Sequence, residues 1–363
     1  MNFSHILCHL VYNRCKAYHK LYTLKSITGQ GGIKISTIED IAKLAGVSKA
    51  TVSRVINHHP YVRPELRARV QAIIDEKNYV PVATAKDLRR LQTNLIGVVV
   101  PNLHHPFFSQ LIQELSDILK IDCYDIVILQ SNYEIERERE FLQYIRTKKL
   151  DGLIFTTLSL PMKEIEHAIT SGAIVICNEH VETEMVSTVQ FDEELAGYIG
   201  TKHLLEKGYT RIGFCYDTLK SKAQRQRYQG YKKALKEYGL QLQQEWIFPN
   251  CFGLKDGKKV IHSIHSMQNT PDAIFTGSDE IAAGMIMTAQ RLNICIPQDF
   301  GVIGFDNQEL SMMMNPNITT IQTSIKSMAK TSIALLHKQL QGEPVQQIRL
   351  PISVIVREST RKE

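Results

Sequence analysis

The chain has little that would tie it to a membrane, a secreted scaffold or a catalytic centre. Its 363 residues include one tryptophan and only 7% aromatics. No apolar run approaches the roughly 18–20 residues that span a bilayer, so no membrane partner is expected. The seven cysteines are odd in number and scattered, with no Cys-x-x-Cys pair. They read as reduced thiols in a cytoplasmic protein. His5, Cys8, His9, Cys15 and His19 match no zinc spacing. The sequence holds no Gly-x-Ser-x-Gly elbow, phosphate-binding P-loop or His-Glu metal pair, and the Gly29–Gly32 cluster follows no strand. Neither an enzyme nor a cofactor or metal is expected.

Charge is present but unevenly spread. Of the net +6, residues 1–33 contribute +4 from four Lys/Arg and no acids. Residues 34–93 contribute +5 from eleven Lys/Arg and six Asp/Glu, leaving −3 for the remainder. A basic front on a slightly acidic body is the electrostatic footprint of a polyanion-binding head on a neutral sensing module. Residues 1–34 read as an N-terminal extension, either a disordered basic arm or an over-long translation start, because Ile6 to Val11 is too interrupted for a signal-peptide core.

Thr37 to Asn57, TIEDIAKLAGVSKATVSRVIN, is the most informative stretch. Thr37 and Asp40 form a capping-box signature, and Ile38, Ile41, Ala42 and Ala45 line one helical face. Gly46 marks a sharp turn and Ser48 can cap a second helix. In that helix Val52, Val55 and Ile56 point inward. Lys49, Ala50, Thr51, Ser53, Arg54 and Asn57 point out and are small, polar or basic, as a helix reading the major groove requires. A third helix is expected from Pro64 to Asn78, with Tyr61 and Arg63 placed to meet phosphates.

DIAKLAGVSKATVSRVIN resembles the headpiece of the LacI/GalR bacterial transcription regulators. The resemblance runs on through YVPVATAKDLRRLQT (Tyr79 to Thr93), LIGVVVP, HPFF, LDGLIF, RYQGY, PDAIFTGSDEIAAG, IPQDFGVIGFDN and a closing ITTIQ and REST, over some nine-tenths of the chain. It implies that Lys49, Ala50 and Arg54 choose the operator, and that residues 81–93 form a hinge helix in the minor groove. There Ala83 and Ala85 allow two copies to pack, and Leu88 wedges between base pairs. A plain linker helix with Leu88 docked on its own core is the other reading. Thr37, Ser48 and Tyr79 complete the expected DNA-binding set. The chain departs from the family at Val82, where Asn is usual, at Lys86, where Arg is common, and at His105, where Asn is usual.

From Leu95 apolar strands alternate with helices: LIGVVVP, Phe107 to Ile121, DIVILQ, Glu134 to Thr147 and DGLIF, with a restart at RIGFCY. Repeated βαβ units imply parallel sheets covered on both faces. The expected fold is therefore a small all-α helix-turn-helix head (35–80) and hinge, joined to an α/β body (94–363) of two Rossmann-like subdomains resembling periplasmic binding proteins. Ligands of such sheets lie beyond strand carboxyl ends, where Asn178, Ser278, Asp279 and Asp306 fall. Residues of these types also cap helices and order loops, and Asp279 reads as structural. The resemblance implies that Arg227 and Asp306 clamp neighbouring sugar hydroxyls and that Phe252 stacks on the sugar. Phe107 and Phe108 are placed to close the pocket.

The expected function is a sequence-specific repressor of a carbohydrate-utilisation operon, cytoplasmic and nucleoid-associated. A homodimer would read a pseudo-palindromic double-stranded operator under control of a small sugar or sugar-phosphate effector. No leucine heptads follow REST, so no tetramer tail is expected. A catabolite-control regulator driven by a phosphocarrier protein is the alternative.

Overall fold

The computed structural model describes residues 37–56, 59–77, 79 and 92–360. They fall into two compact units divided between Arg90 and Leu91.

In the first unit, α1 (Ile38–Ala45), α2 (Lys49–Ile56) and α3 (Pro64–Glu76) enclose one small core. Its buried members are Ile41, Ala42, Ala45, Val52, Val55, Val62, Val70 and Ile74. The capping box forms: Thr37 N donates to Asp40 Oδ2 at 2.9 Å and Asp40 N to Thr37 Oγ1 at 3.2 Å. Gly46 ends α1 at φ 64°, a left-handed conformation that glycine adopts without a Cβ clash. Pro64 opens α3, where its missing N–H costs no helical bond. The helix stops at Glu76, two residues short of the expected end. Most of the expected hinge, residues 81–91, lies outside the described residues, as do Asn57, Val82, Ala83, Ala85, Lys86 and Leu88.

The second unit is two α/β lobes. In chain order the elements are β1 (Leu95–Val100), α4 (Pro106–Ile121), β2 (Asp125–Gln130), α5 (Ile135–Arg146), β3 (Gly152–Phe155), α6 (Met162–Ala168), β4 (Ala173–Cys177) and β5 (Ser187–Phe191). The second lobe follows with α7 (Glu193–Glu206), β6 (Ile212–Cys215), α8 (Lys222–Glu237), β7 (Ile247–Phe248), α9 (Leu254–Ser266), β8 (Ala273–Phe275), α10 (Asp279–Arg291), β9 (Gly301–Phe305), α11 (Leu310–Met313) and β10 (Thr319–Gln322). The chain then returns to the first lobe with α12 (Ile325–Leu340) and β11 (Gln347–Leu350), and closes in the second with β12 (Ser353–Ile355).

The sheets run β11-β5-β4-β3-β1-β2 and β12-β10-β9-β8-β6-β7. Every pairing is parallel except β10 with β12. Each sheet is buried on both faces, which is why strands such as LIGVVV and AIVIC read as continuous apolar runs. The chain passes between the lobes three times, after β5, β10 and β11. The sequence pattern alone placed the second half at Arg211 and missed that α12 and β11 belong to the first lobe.

Helices α7 and α8 pack at backbone distance. A Cβ on Gly230 would lie 1.9 Å from the Glu194 carbonyl oxygen, and one on Gly197 2.0 Å from that of Arg227. Neither neighbour is a side chain that can turn away. Gly230→Ala is expected to destabilise the body by about 3 kcal/mol, the upper range for overpacking. The check is a denaturant titration followed by the fluorescence of Trp246, the single tryptophan, which is buried in the second lobe.

Candidate effector cleft and DNA-reading surface

The strand ends of the two lobes face each other across a small cavity of about 40 Å³. It is lined from the first lobe by His105, Phe107, Phe108, Tyr133, Asn178 and Phe191, and from the second by Glu193, Asp217, Ser221, Gln224, Arg227, Gly277 and Asp306. Thr323, in the crossover between lobes, completes the wall. That volume takes a few waters but not a pyranose ring, so admitting a sugar requires the lobes to part. Wider hollows of about 580 and 590 Å³ open elsewhere on the body. The small cleft is nevertheless the better site, because buried polar groups from many strand ends converge there.

Arg227 organises the cleft. It is 5% exposed on the first turns of α8, behind the Ser221 N-cap. Its Nε and Nη2 donate to Glu193 Oε2 at 3.0 and 2.8 Å, and Nη1 donates to the Gly277 carbonyl at 3.1 Å. The guanidinium carbon lies 3.1 Å from the centroid of the Phe305 ring, stacked as a cation on an aromatic face. Asp306 follows Phe305 at φ 90° and accepts from Thr323 Oγ1 at 3.1 Å. Burial pushes the Asp306 carboxyl up to about 7, while Arg227 pulls it down and Glu193 adds to the rise. Burial likewise raises Asp217 to about 6, against the Thr218 N–H and Arg227. His105 caps α4 by accepting from Phe107 N at 3.3 Å, and burial with Arg227 behind it lowers its pKa to about 4. It is therefore a neutral group. Gln224 Oε1 is buried in the wall without a hydrogen-bond partner among the described residues, an acceptor waiting for a donor.

Five of the expected effector residues meet in this cavity: Phe107, Phe108, Asn178, Arg227 and Asp306. Phe107 and Phe108 stand edge to face at 5.3 Å, and Asn178 turns at φ 65° just past β4. Two others stand apart. Phe252 is 50% exposed on a loop and does not line the cavity. The Ser278 hydroxyl is turned into its own helix, accepting from Ile281 N at 3.4 Å as the cap of α10. Asp279 is spent internally, on Gln308 N at 2.7 Å and Thr320 Oγ1 at 2.6 Å. The sequence reading missed Tyr133, Glu193, Asp217 and Gln224. Asp217 was within reach, since it follows the RIGFCY strand as Asp306 follows GVIGF.

In the head, Lys49, Ala50 and Arg54 form an exposed row on α2, with Lys49 held 2.9 Å from Glu39. Thr51 and Ser53 are half-buried beside them. Ser48 caps the helix, its hydroxyl accepting from Thr51 N at 3.2 Å. Tyr61 is 89% exposed, and Arg63 is exposed beside it. Tyr79 instead packs partly against the head core, and the Thr37 hydroxyl is engaged in its capping box.

Residues 37–82 match the model of bacterial regulatory proteins of the lacI family, and residues 201–360 that of a periplasmic binding protein-like domain. The regulator NtdR of the NTD biosynthesis operon, from Bacillus subtilis strain 168, is 40% identical over 89% of this chain and 99% of its own. The chain belongs to the LacI family of bacterial transcription regulators. The ribose operon repressor of Halalkalibacterium halodurans is 32% identical over 90% of this chain and 98% of its own. The solved complex of the transcriptional regulator CelR with cellobiose superposes with a TM-score of 0.64 at 25% identity, covering 89% of this chain and 99% of that one. Like its relatives, this LacI-family chain is a regulator with a DNA-binding and a ligand-binding domain, and not an enzyme. No helix among the described residues is long and apolar enough to cross a membrane.

Two outcomes follow from the buried charges. Arg227→Met leaves Glu193 without its cation and is expected to cost the body about 3–5 kcal/mol in denaturant titrations. Asp306 and Asp217 have folded pKa values raised above the ordinary carboxylate range, so the folded state holds protons the unfolded state has released. Their contribution is most favourable below pH 4 and is lost as pH rises through about 6 to 7. Stability measured at pH 5 and pH 8 should fall toward the alkaline side, and Asp306→Asn should flatten that slope.

Proposed function

We propose that this LacI-family regulator is a homodimeric repressor of a carbohydrate-utilisation operon, released from or fixed to a pseudo-palindromic operator by a small unphosphorylated sugar. The observation that carries the effector class is the composition of the cleft. One cation, Arg227, faces three carboxylates, Glu193, Asp217 and Asp306, and its donors are already engaged with Glu193 and Gly277. A phosphate would meet surplus negative charge with little free to donate to it. Sugar hydroxyls, by contrast, can donate to Asp306, Asp217 and Gln224 Oε1 while the ring lies against Phe107 and Phe108. Relatives add support, since one is a ribose operon repressor and another was solved with cellobiose.

On the DNA side, Lys49, Ala50 and Arg54 carry base readout, with Arg54 the candidate for a bidentate guanine contact, while Tyr61 and Arg63 meet phosphates. The protein on this reading works in the cytoplasm.

The test is fluorescence anisotropy of a labelled duplex from the chain's own promoter region, with a panel of neutral sugars and their phosphates. A neutral sugar should shift affinity and its phosphate should not; the reverse would overturn the effector class. Response only to a phosphorylated phosphocarrier protein would favour the catabolite-control alternative. Arg54→Ala should cost about 1–3 kcal/mol of discrimination between operator and scrambled duplex, equivalent to about 5- to 150-fold. Because hydroxyls donate to ionised carboxylates, affinity for the neutral sugar should rise between pH 5.5 and pH 8 in calorimetric titrations.

A further inference from the structure

The strand end that carries Asp217 also carries two thiols that neither DNA nor effector binding uses. Cys215 closes β6, and Cys251 lies three residues past β7. The two segments are laced together. Cys215 pairs in register with Phe248, Tyr216 N donates to the Phe248 carbonyl at 3.1 Å, and Cys251 N donates to the Tyr216 carbonyl at 3.0 Å. Asn250 N donates to the Asp217 carbonyl at 3.1 Å. This lacing sets both side chains in one buried core cluster, and the Cys251 thiol donates to the carbonyl of Phe248, the register partner of Cys215, at 3.5 Å and to that of Pro249 at 3.6 Å. Both are buried, at 0% and 4% exposure. Cys123 and Cys295 are exposed, and Cys177 is buried in the other lobe, within the core on one face of its sheet.

The two sulfurs are not equivalent. Contact with Cys215 holds the Cys251 thiol below its ordinary pKa, while burial first and then the same neighbour push the Cys215 thiol up. Burial, Asp256 and Asp217 oppose the Cys251 shift, and Lys259 supports it. Cys251 is the sulfur disposed to attack and Cys215 the one disposed to resolve. Cys251 follows a two-residue strand at the sheet edge, so a small oxidant reaches it by local opening of that edge.

We infer that Cys215 and Cys251 form a reversible disulfide-forming modification site beside the effector cleft, oxidised by hydroperoxides. The Cys251 thiolate attacks one peroxide oxygen and the O–O bond breaks. The departing hydroxide takes a proton to become water, leaving a sulfenic acid. The Cys215 sulfur then attacks the Cys251 sulfur, the S–S bond forms, and the sulfenic hydroxyl leaves as a second water with the Cys215 proton. Two thiols and one hydrogen peroxide give one disulfide and two waters. The sulfurs together lose two electrons and the peroxide gains them. A thiol reductant reverses the change by exchange. The bond would pin the loop of Asp217 to the segment 248–251, and the inference holds whatever the effector proves to be.

The experiment uses the full chain, treated with hydrogen peroxide, alkylated, digested without reductant and mapped by mass spectrometry. The expected product is a Cys215–Cys251 linked peptide with loss of two of the five free thiols among the described residues, restored by dithiothreitol. Cys215→Ser should halt the reaction at a Cys251 sulfenic acid captured by a cyclic dione, and Cys177→Ser should leave the bridge intact. Alkylation of both Cys215 and Cys251 after peroxide treatment would overturn the inference. So would bridges formed instead through Cys123 or Cys295. Thermal melts of the serine variants separate a lost bridge from a lost fold, and the wild-type map decides the matter alone if either variant unfolds.

Discussion

The body is organised around a buried ion pair that does not stabilise it cheaply. Taking Arg227 and Glu193 out of water costs several kcal/mol per ion, and their mutual attraction roughly returns that cost only because the geometry is good. Two guanidinium nitrogens converge on one carboxylate oxygen, a third reaches the Gly277 carbonyl, and the flat face rests on Phe305. What the pair contributes is placement. Arg227 belongs to α8 and Glu193 to α7, so their bond locks the first turns of two helices whose N-termini open on the cleft. That bond requires the helices to approach more closely than side chains permit, which is the role of Gly197 and Gly230. Two glycines allow the contact, the contact sets the ion pair, and the ion pair fixes the charge that Asp306 and Asp217 experience.

The elements nearest in sequence were the most legible. In the head, the capping box, the Gly46 turn and the inward Val52 and Val55 follow local rules of period and end-capping, and they stand where those rules place them. The strands of both lobes read from their apolar runs, and Asn178 and Asp306 from their place beyond strand ends; Arg227, whose role the resemblance implied, lies inside a helix that begins five residues earlier, at Lys222, rather than opening it. Glu193 was not legible, because nothing in FDEE says that its carboxylate turns inward to meet a side chain 34 residues later. The stacking role that the resemblance implies for Phe252 finds no place in this cavity, because its loop holds it at the surface, where its N–H bonds to Asp256. Short-range chemistry is written in the sequence; which of several strand-end groups face a common centre depends on the twist and lobe packing of the finished body.

The cleft and the head divide recognition in a way their charges explain. The outward row of Lys49, Ala50 and Arg54 is cationic and exposed, suited to a polyanion whose counterions are released on contact. The cleft is acidic and buried, and on the proposed reading it takes a neutral ligand that exchanges water for hydrogen bonds.

The three passages of the chain between lobes also govern how the protein is made. The first lobe lacks α12 and its edge strand β11 until residue 350 has been synthesised, and the second lacks β12 until residue 355. Neither lobe completes its sheet before those late strands are available, although most of each core precedes them in the chain. Burial of the sheets therefore waits on contacts of very long sequence separation, the kind that form slowly because loop closure precedes any gain. The head has no such debt. Its core is complete by Tyr79, so a nascent chain can carry a folded DNA-binding module well before it owns a finished sensor.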